Sequence, residues 1–388
     1  MKLEKVQETK LKKFQEWYEN RHQYQQDYKS RTGKKIVGYL CTYEPEELFY
    51  AADILPVRIL GGHKPTDATL SAPHIIDMYC PFCRDALGQG LRGYYDYLDG
   101  ISIAQACLHI RQTYHSWIIH KNPGWSYFLP MPQNVQNPKR AIPFLYEELK
   151  LLKKSLEEWT GREITNDALR RGIAILNRDR RAMKKAFEYS KPDVPKITGV
   201  ERMYISTSSF FVDKEEHAKA VEETLAELEE REMDRSTGVR LMIIGSENDD
   251  IEFVKMLESI GATVVIDEHC TTTRYFWDEV DESVDDPLLA IAERYVRRTA
   301  CPSKDWPQRT RFDRVLQFAK DWRVQGAIVM QQAFCDPHEA DIPALSRFLD
   351  KNGIPNYFLE FDVTVPLGQF KIRLEAFLEQ LTGLEGLF

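Results

Sequence analysis

No stretch of this chain approaches the ~20 consecutive apolar residues that a membrane-spanning helix needs. The opening run Met1-Lys-Leu-Glu-Lys-Val-Gln-Glu is charged and polar, unlike a secretory signal. Positive charge is not in excess: 52 Lys+Arg stand against 60 Asp+Glu, a net charge of -8, which argues against a nucleic-acid or membrane-surface protein. There is no GxGxxG, Walker, GxSxG or HExxH sequence and no low-complexity tract. A cytoplasmic protein is expected. Its seven cysteines then point towards metal or redox chemistry and away from a disulfide framework.

The 388 residues, 43% of them hydrophobic, suffice for two or three domains with sizeable cores. The pattern is α/β: two Rossmann-like parallel-sheet domains with an intervening helical region. Residues 1–32 read as an N-terminal helical arm that docks on a partner. Residues 33–142 read as an α/β domain carrying Cys41, Cys80 and Cys107, 143–237 as a helical region, and 238–388 as a second α/β domain carrying Cys335. Short apolar, partly β-branched runs mark buried parallel strands: Ile36–Leu40, Leu55–Leu60, Gly100–Gln105, Val239–Gly245, Ala262–Asp267, Ala327–Met330 and Asn356–Phe361. Helices are expected over Glu46–Ala52 with Pro45 at N1, over Cys80–Tyr97, and over Glu339–Asn352.

Cys41, Cys107 and Cys335 each follow such a strand run, and ligands of open α/β sheets bind beyond the carboxyl ends of strands. Cys80 precedes Pro81 and a helical run, where a helix dipole favours thiolate. Cys80, Cys107 and Cys335 together make a plausible three-thiolate site for zinc or an iron–sulfur cluster, against the alternative of buried inert thiols. Cys80-Pro-Phe-Cys83 lacks a second CxxC, so it is a weak zinc signal, and a redox pair is also open. Cys270 and Cys301 lack such placement and read as structural. Gly245-Ser-Glu-Asn-Asp reads as a turn whose Asn or Asp caps a helix. Residues 109–137 crowd His109, Tyr114, His115, Trp117, Trp125 and Phe128 among three prolines. They read as a long loop, either functional or packing its own aromatics.

Several motifs in order resemble the benzoyl-CoA reductase and 2-hydroxyglutaryl-CoA dehydratase family over nearly the whole chain. They are Pro45-Glu-Glu-Leu-Phe-Tyr-Ala-Ala with Leu55-Pro-Val, the Cys80-Pro turn, Cys107 after its strand, Gly161-Arg-Glu-Ile-Thr, Leu257-Glu-Ser-Ile-Gly-Ala-Thr-Val-Val, and Phe334-Cys-Asp-Pro through Leu359-Glu-Phe-Asp to Arg373-Leu-Glu-Ala-Phe. The resemblance implies a [4Fe-4S] cluster on Cys80, Cys107 and Cys335, with Cys41 the candidate for the fourth ligand or a near neighbour. It implies a homologous iron–sulfur subunit as partner, and ATP-hydrolysing activator subunits, with ATP bound only there. Within the family, dehydratases expel a hydroxyl through a ketyl radical, and benzoyl-CoA reductases dearomatise a ring with single low-potential electrons. The aromatic segment after Cys107 and the ending Val363-Thr-Val-Pro-Leu-Gly-Gln-Phe favour a benzoyl-CoA reductase subunit with an aromatic acyl-CoA substrate. A 2-hydroxyacyl-CoA dehydratase subunit is the alternative, and a non-catalytic zinc or redox scaffold the alternative of another class. On that reading His109, Tyr114 and His115 are the proton-donor candidates, and Trp117 and Trp125 line the substrate.

Overall fold

The computed structural model describes residues 9–233 and 236–385. Along the chain come α1 (Lys12–Glu19), α2 (Arg21–Thr32), β1 (Ile36–Tyr39), α3 (Glu46–Ala51), β2 (Leu55–Arg58), α4 (Pro65–Ala68), α5 (Pro81–Leu91), β3 (Gly100–Ala104), α6 (Leu108–Lys121) and β4 (Trp125–Leu129). Four helices follow: α7 (Pro138–Thr160), α8 (Asn166–Glu188), α9 (Gly199–Ser208) and α10 (Lys214–Glu230). The remainder is β5 (Val239–Gly245), α11 (Ile251–Ser259), β6 (Ala262–Glu268), α12 (Thr273–Phe276), α13 (Pro287–Arg297), α14 (Arg311–Asp321), β7 (Gly326–Gln332), α15 (Asp336–Lys351), β8 (Asn356–Phe361) and α16 (Leu367–Glu385). Among the described residues no helix is long and apolar enough to cross a membrane.

The strands form two parallel four-stranded sheets, ordered β2-β1-β3-β4 and β6-β5-β7-β8. Both faces of each sheet are covered, so the central strands are continuous apolar runs, buried throughout in β3, β5 and β7. Gly245 ends β5 where a Cβ would stand 1.8 Å from the Met330 carbonyl. Only glycine lets β5 lie this close to β7.

The two carboxyl edges meet. Arg58 at the end of β2 donates to the Cys270 carbonyl beyond β6 at 2.9 Å. The Phe82 N–H reaches Gln332 at the end of β7, 2.7 Å away. His63 beyond β2 pairs with Asp249 beyond β5 at 2.8 Å. A floor of helices joins the halves: Arg180 of α8 binds Glu47 of α3 at 2.6 Å with both side chains buried, and the Tyr295 hydroxyl of α13 donates to the Glu44 carbonyl at 2.7 Å.

Four expectations change. The aromatic segment is not a loop. Residues 108–121 are helix α6 and 125–129 are strand β4. Pro123 and Pro130 punctuate these elements instead of breaking them, and Asn122 ends α6 in the left-handed region at φ 44°. Helix α5 stops at Leu91, short of Tyr97, and Gly93 follows at φ 90°. The N-terminal arm folds back on its own chain: Phe14 is wholly buried, and Tyr24 and Arg31 bind Glu216 of α10. Its first eight residues lie outside the described ones. Finally α15 starts at Asp336, three residues before the expected Glu339, which puts Cys335 at its cap.

Candidate functional site

Three thiols occupy the same structural position. Cys80 is the N-cap of α5, Cys107 of α6 and Cys335 of α15, and none of the three makes a side-chain cap hydrogen bond. Each cap sits where a helix N-terminus favours negative charge. Before Cys335 the chain turns through Phe334 at φ 61°, a left-handed conformation costly for a bulky residue and found where a site demands it.

Hydrogen bonds knit the three caps together. The Cys80 N–H donates to His109 Nδ1 at 3.2 Å, at the start of α6. The Tyr79 ring stacks on His109 at 4.5 Å. Gln332 receives the Phe82 N–H on its side chain and, 3.1 Å away, the Cys335 N–H on its carbonyl. The thiol of Cys80 is pulled down to about 5, mainly by its hydrogen bond with Cys83 and then, against burial, by His109. Burial pushes Cys107 and Cys335 up, and the neighbouring Cys80 raises both further. A buried thiol and two half-buried ones, whose thiolates would oppose one another, make a donor set suited to a cationic metal group, which relieves both desolvation and repulsion. Among the described residues no three His, Cys, Asp or Glu side chains lie close enough to share one metal ion. A cubane cluster spreads its thiolate ligands over separate irons, so its ligands stand further apart than those of a single ion.

A second group borders the first. Cys41 lies beyond β1, and burial, with Cys301 and Cys270 beside it, pushes its thiol to about 12. The Cys301 N–H donates to the Tyr43 hydroxyl at 3.0 Å, and Cys270 Sγ is 3.5 Å from Arg58 Nη2. Cys301 and Cys270, which the sequence reads as structural, thus lie near Cys41. None of the seven cysteines is disulfide-bonded.

The opposite wall is acidic. Gln332 Nε2 donates to Glu247 Oε2 at 2.7 Å, while Glu247 Oε1 is buried with no hydrogen-bond partner. Burial and then the Asp249 carboxylate hold the Glu247 carboxyl protonated far above the usual range. Asp85 accepts from the Gly62 and His63 N–H groups, and burial raises it to about 6. The turn after β5 caps α11 through Asp250, the residue after the stretch read as the capping turn, and it also carries the buried Glu247 and Asp249. Carboxylates count as exposed residues in a sequence, so only their place after a strand could have flagged them.

The other expected site residues separate. His109 is at the thiol cluster. Tyr114 is buried. His115 stacks on Phe128, and with Arg111 and Gln112 they line a surface pocket of about 360 Å³. Trp117 is 2% exposed and lies over Gly90, where an added Cβ would meet its ring at 2.3 Å. Trp125 stacks between Trp159 and Tyr127. Trp117 also packs edge-on against Tyr95.

Two four-stranded parallel sheets meeting at their carboxyl edges define an α/β protein of two parallel-sheet domains. Residues 41–381 match the family model for 2-hydroxyglutaryl-CoA dehydratase, D-component, and the chain belongs to that family. It is 26% identical to the (R)-phenyllactyl-CoA dehydratase beta subunit of Clostridium sporogenes, covering 95% of this chain and 97% of that one. It is 28% identical to the beta subunit of (R)-2-hydroxyglutaryl-CoA dehydratase of Acidaminococcus fermentans, with 90% and 93% covered. To one of the benzoyl-CoA reductase subunits of Thauera aromatica it is 24% identical, with 88% and 89% covered. It is thus a subunit of the dehydratase and benzoyl-CoA reductase type.

Proposed function

We propose that this chain is the iron–sulfur subunit of an ATP-dependent benzoyl-CoA reductase, holding a [4Fe-4S] cluster on Cys80, Cys107 and Cys335. The observation that carries the reading is the convergence of three thiol N-caps, tied together through His109 and Gln332. When bound, the cluster supplies single low-potential electrons. A homologous subunit and a separate ATP-hydrolysing activator complete the system in the cytoplasm, consistent with the absence of a nucleotide-binding motif in the sequence.

The protein's own residues handle protons and exclude water. Adding two electrons to an aromatic acyl-CoA ring takes up two protons. Glu247 keeps a proton at neutral pH because burial and Asp249 disfavour its anion, and its unpartnered oxygen is free to meet a ligand. Gln332 orients that carboxyl and joins it to the Cys80 and Cys335 turns. His109, bonded to the Cys80 N–H, is positioned for a second proton. Glu247→Gln should lower benzoyl-CoA turnover about 10²–10⁴-fold, the usual worth of a general acid, with iron content unchanged. Turnover with benzoyl-CoA and with a 2-hydroxyacyl-CoA, in the presence of activator and ATP, tests the reading. The second reading, a 2-hydroxyacyl-CoA dehydratase subunit, is favoured by the activities named for the phenyllactyl and 2-hydroxyglutaryl relatives. Dehydration without ring reduction would establish it.

A further inference from the structure

We propose that Cys80 and Cys83 form a reversible disulfide when the cluster is lost to a peroxide, and that this bond preserves Cys80 as a ligand for reassembly. This rests on the iron–sulfur reading above. Cys83 is wholly buried, and it is not among the cluster ligands. It stands one turn beyond the Cys80 cap, at the third position of α5. The corresponding positions behind the other two caps hold Ile110 in α6 and His338 in α15. Of the three thiol caps, only this one has a second thiol on the turn that follows it.

The start of the helix fixes the pair. Pro81 occupies the first position of α5, where its ring presets the turn. The Cys83 N–H closes on the Cys80 carbonyl at 3.0 Å, and the Arg84 N–H reaches the same oxygen at 3.2 Å. A closure of that kind holds residues i and i+3 within about 7 Å, and a disulfide spans about 4.4–6.8 Å between Cα atoms. The two thiols already hydrogen-bond to each other. While iron holds the Cys80 sulfur, Cys83 stays a reduced bystander. Once iron leaves, the Cys80 thiolate attacks hydrogen peroxide: an S–O bond forms, the O–O bond breaks and hydroxide departs. The Cys83 sulfur then attacks the sulfenic acid of Cys80. The S–S bond forms, the S–O bond breaks, and the Cys83 proton leaves with that oxygen as water. Two electrons have passed from the two sulfurs to one peroxide. A sulfenic acid that meets no thiol is oxidised on to sulfinic acid, which thiol reductants do not reverse. Cys83 diverts Cys80 from that loss.

The test uses the anaerobically purified full chain with its partner subunit. Hydrogen peroxide is added stepwise until iron is released, free thiols are alkylated, and the peptide holding both cysteines is weighed by mass spectrometry. Wild type is expected to give that peptide unalkylated and lighter by two hydrogens. Dithiothreitol, iron and sulfide should then restore its cluster. Cys83→Ser and, beside it, Cys83→Ala should release iron as wild type does, but carry sulfinic acid at Cys80 and recover at least about twofold less iron. Cys270→Ser should recover like wild type. In wild type, an alkylated Cys80–Cys83 peptide after iron loss, sulfinic acid at Cys80, or a bond from Cys80 to Cys107 or Cys335 overturns the proposal. Full recovery by both Cys83 variants overturns it too. A chain purified without iron and sulfide overturns the cluster reading instead, and its peptide still reports whether the disulfide forms.

Discussion

The two sheets share one strand order and differ in what their edges carry. The first has strands of four or five residues, and Cys41, Cys80 and Cys107 lie on the segments beyond them. The second has strands of six or seven, and its tips carry Cys335 among buried ion pairs and acids. Glu268 binds Arg274 at 2.8 Å and Arg311 at 2.6 Å, and Arg311 continues to Asp341. One architecture has thus been given two tasks. The first edge gathers thiols on short turns. The second builds a charged wall beside those thiols, and contributes one cysteine of its own. Buried charge of this kind is stable only while every partner is present.

Substitutions should separate the two edges. Glu268→Gln leaves two buried guanidiniums short of a carboxylate and should cost about 3–5 kcal/mol of stability, read as a lowered denaturation midpoint. If that variant keeps its stability but loses iron, the second edge is not the structural partner described here. Trp117→Phe, within α6 on the first edge, should cost about 0.5–3 kcal/mol through lost packing over Gly90. Its turnover per folded chain should stay at the wild-type level; a selective loss of aromatic acyl-CoA turnover would place Trp117 in a substrate wall.

The smallest effect concerns pH. Burial opposes the charge of His63, but the Asp249 carboxylate wins and raises it from 6.5 to about 10. Its stabilisation is complete below about 6.5 and is lost as pH rises through about 10. His63→Gln should flatten the fall in thermal stability between those values. An unchanged slope in the variant would show that this pair does not couple the edges.

Much of the architecture is legible in the sequence, because buried parallel strands are nearly uninterrupted apolar runs. Ile36, Gly100 and Val239 each begin a strand where the pattern places one, and β7 starts at Gly326, one residue early. The thiols are legible too, because Cys107 and Cys335 follow such runs closely. Helix α6 escapes the pattern since its buried face is made of His109, Thr113, Tyr114, Ser116 and Trp117, which carry little apolar periodicity. The stretch from 270 to 325 is silent for a related reason. Its buried residues include Arg274, Arg294, Arg298 and Arg311, which count as surface in any local pattern and draw on partners such as Glu268 and Thr42. Glu247 acquires meaning only from neighbours that the fold brings to it.

The measurement closest to the central claim is iron and acid-labile sulfide per chain after anaerobic purification, for wild type and for single alanine variants. Wild type is expected to hold about four of each if a cubane sits on the three thiol caps. Cys107→Ala and Cys335→Ala should lose most of that iron, and Cys270→Ala should keep it. Full iron in the Cys107 and Cys335 variants, or zinc in place of iron in wild type, would contradict the account.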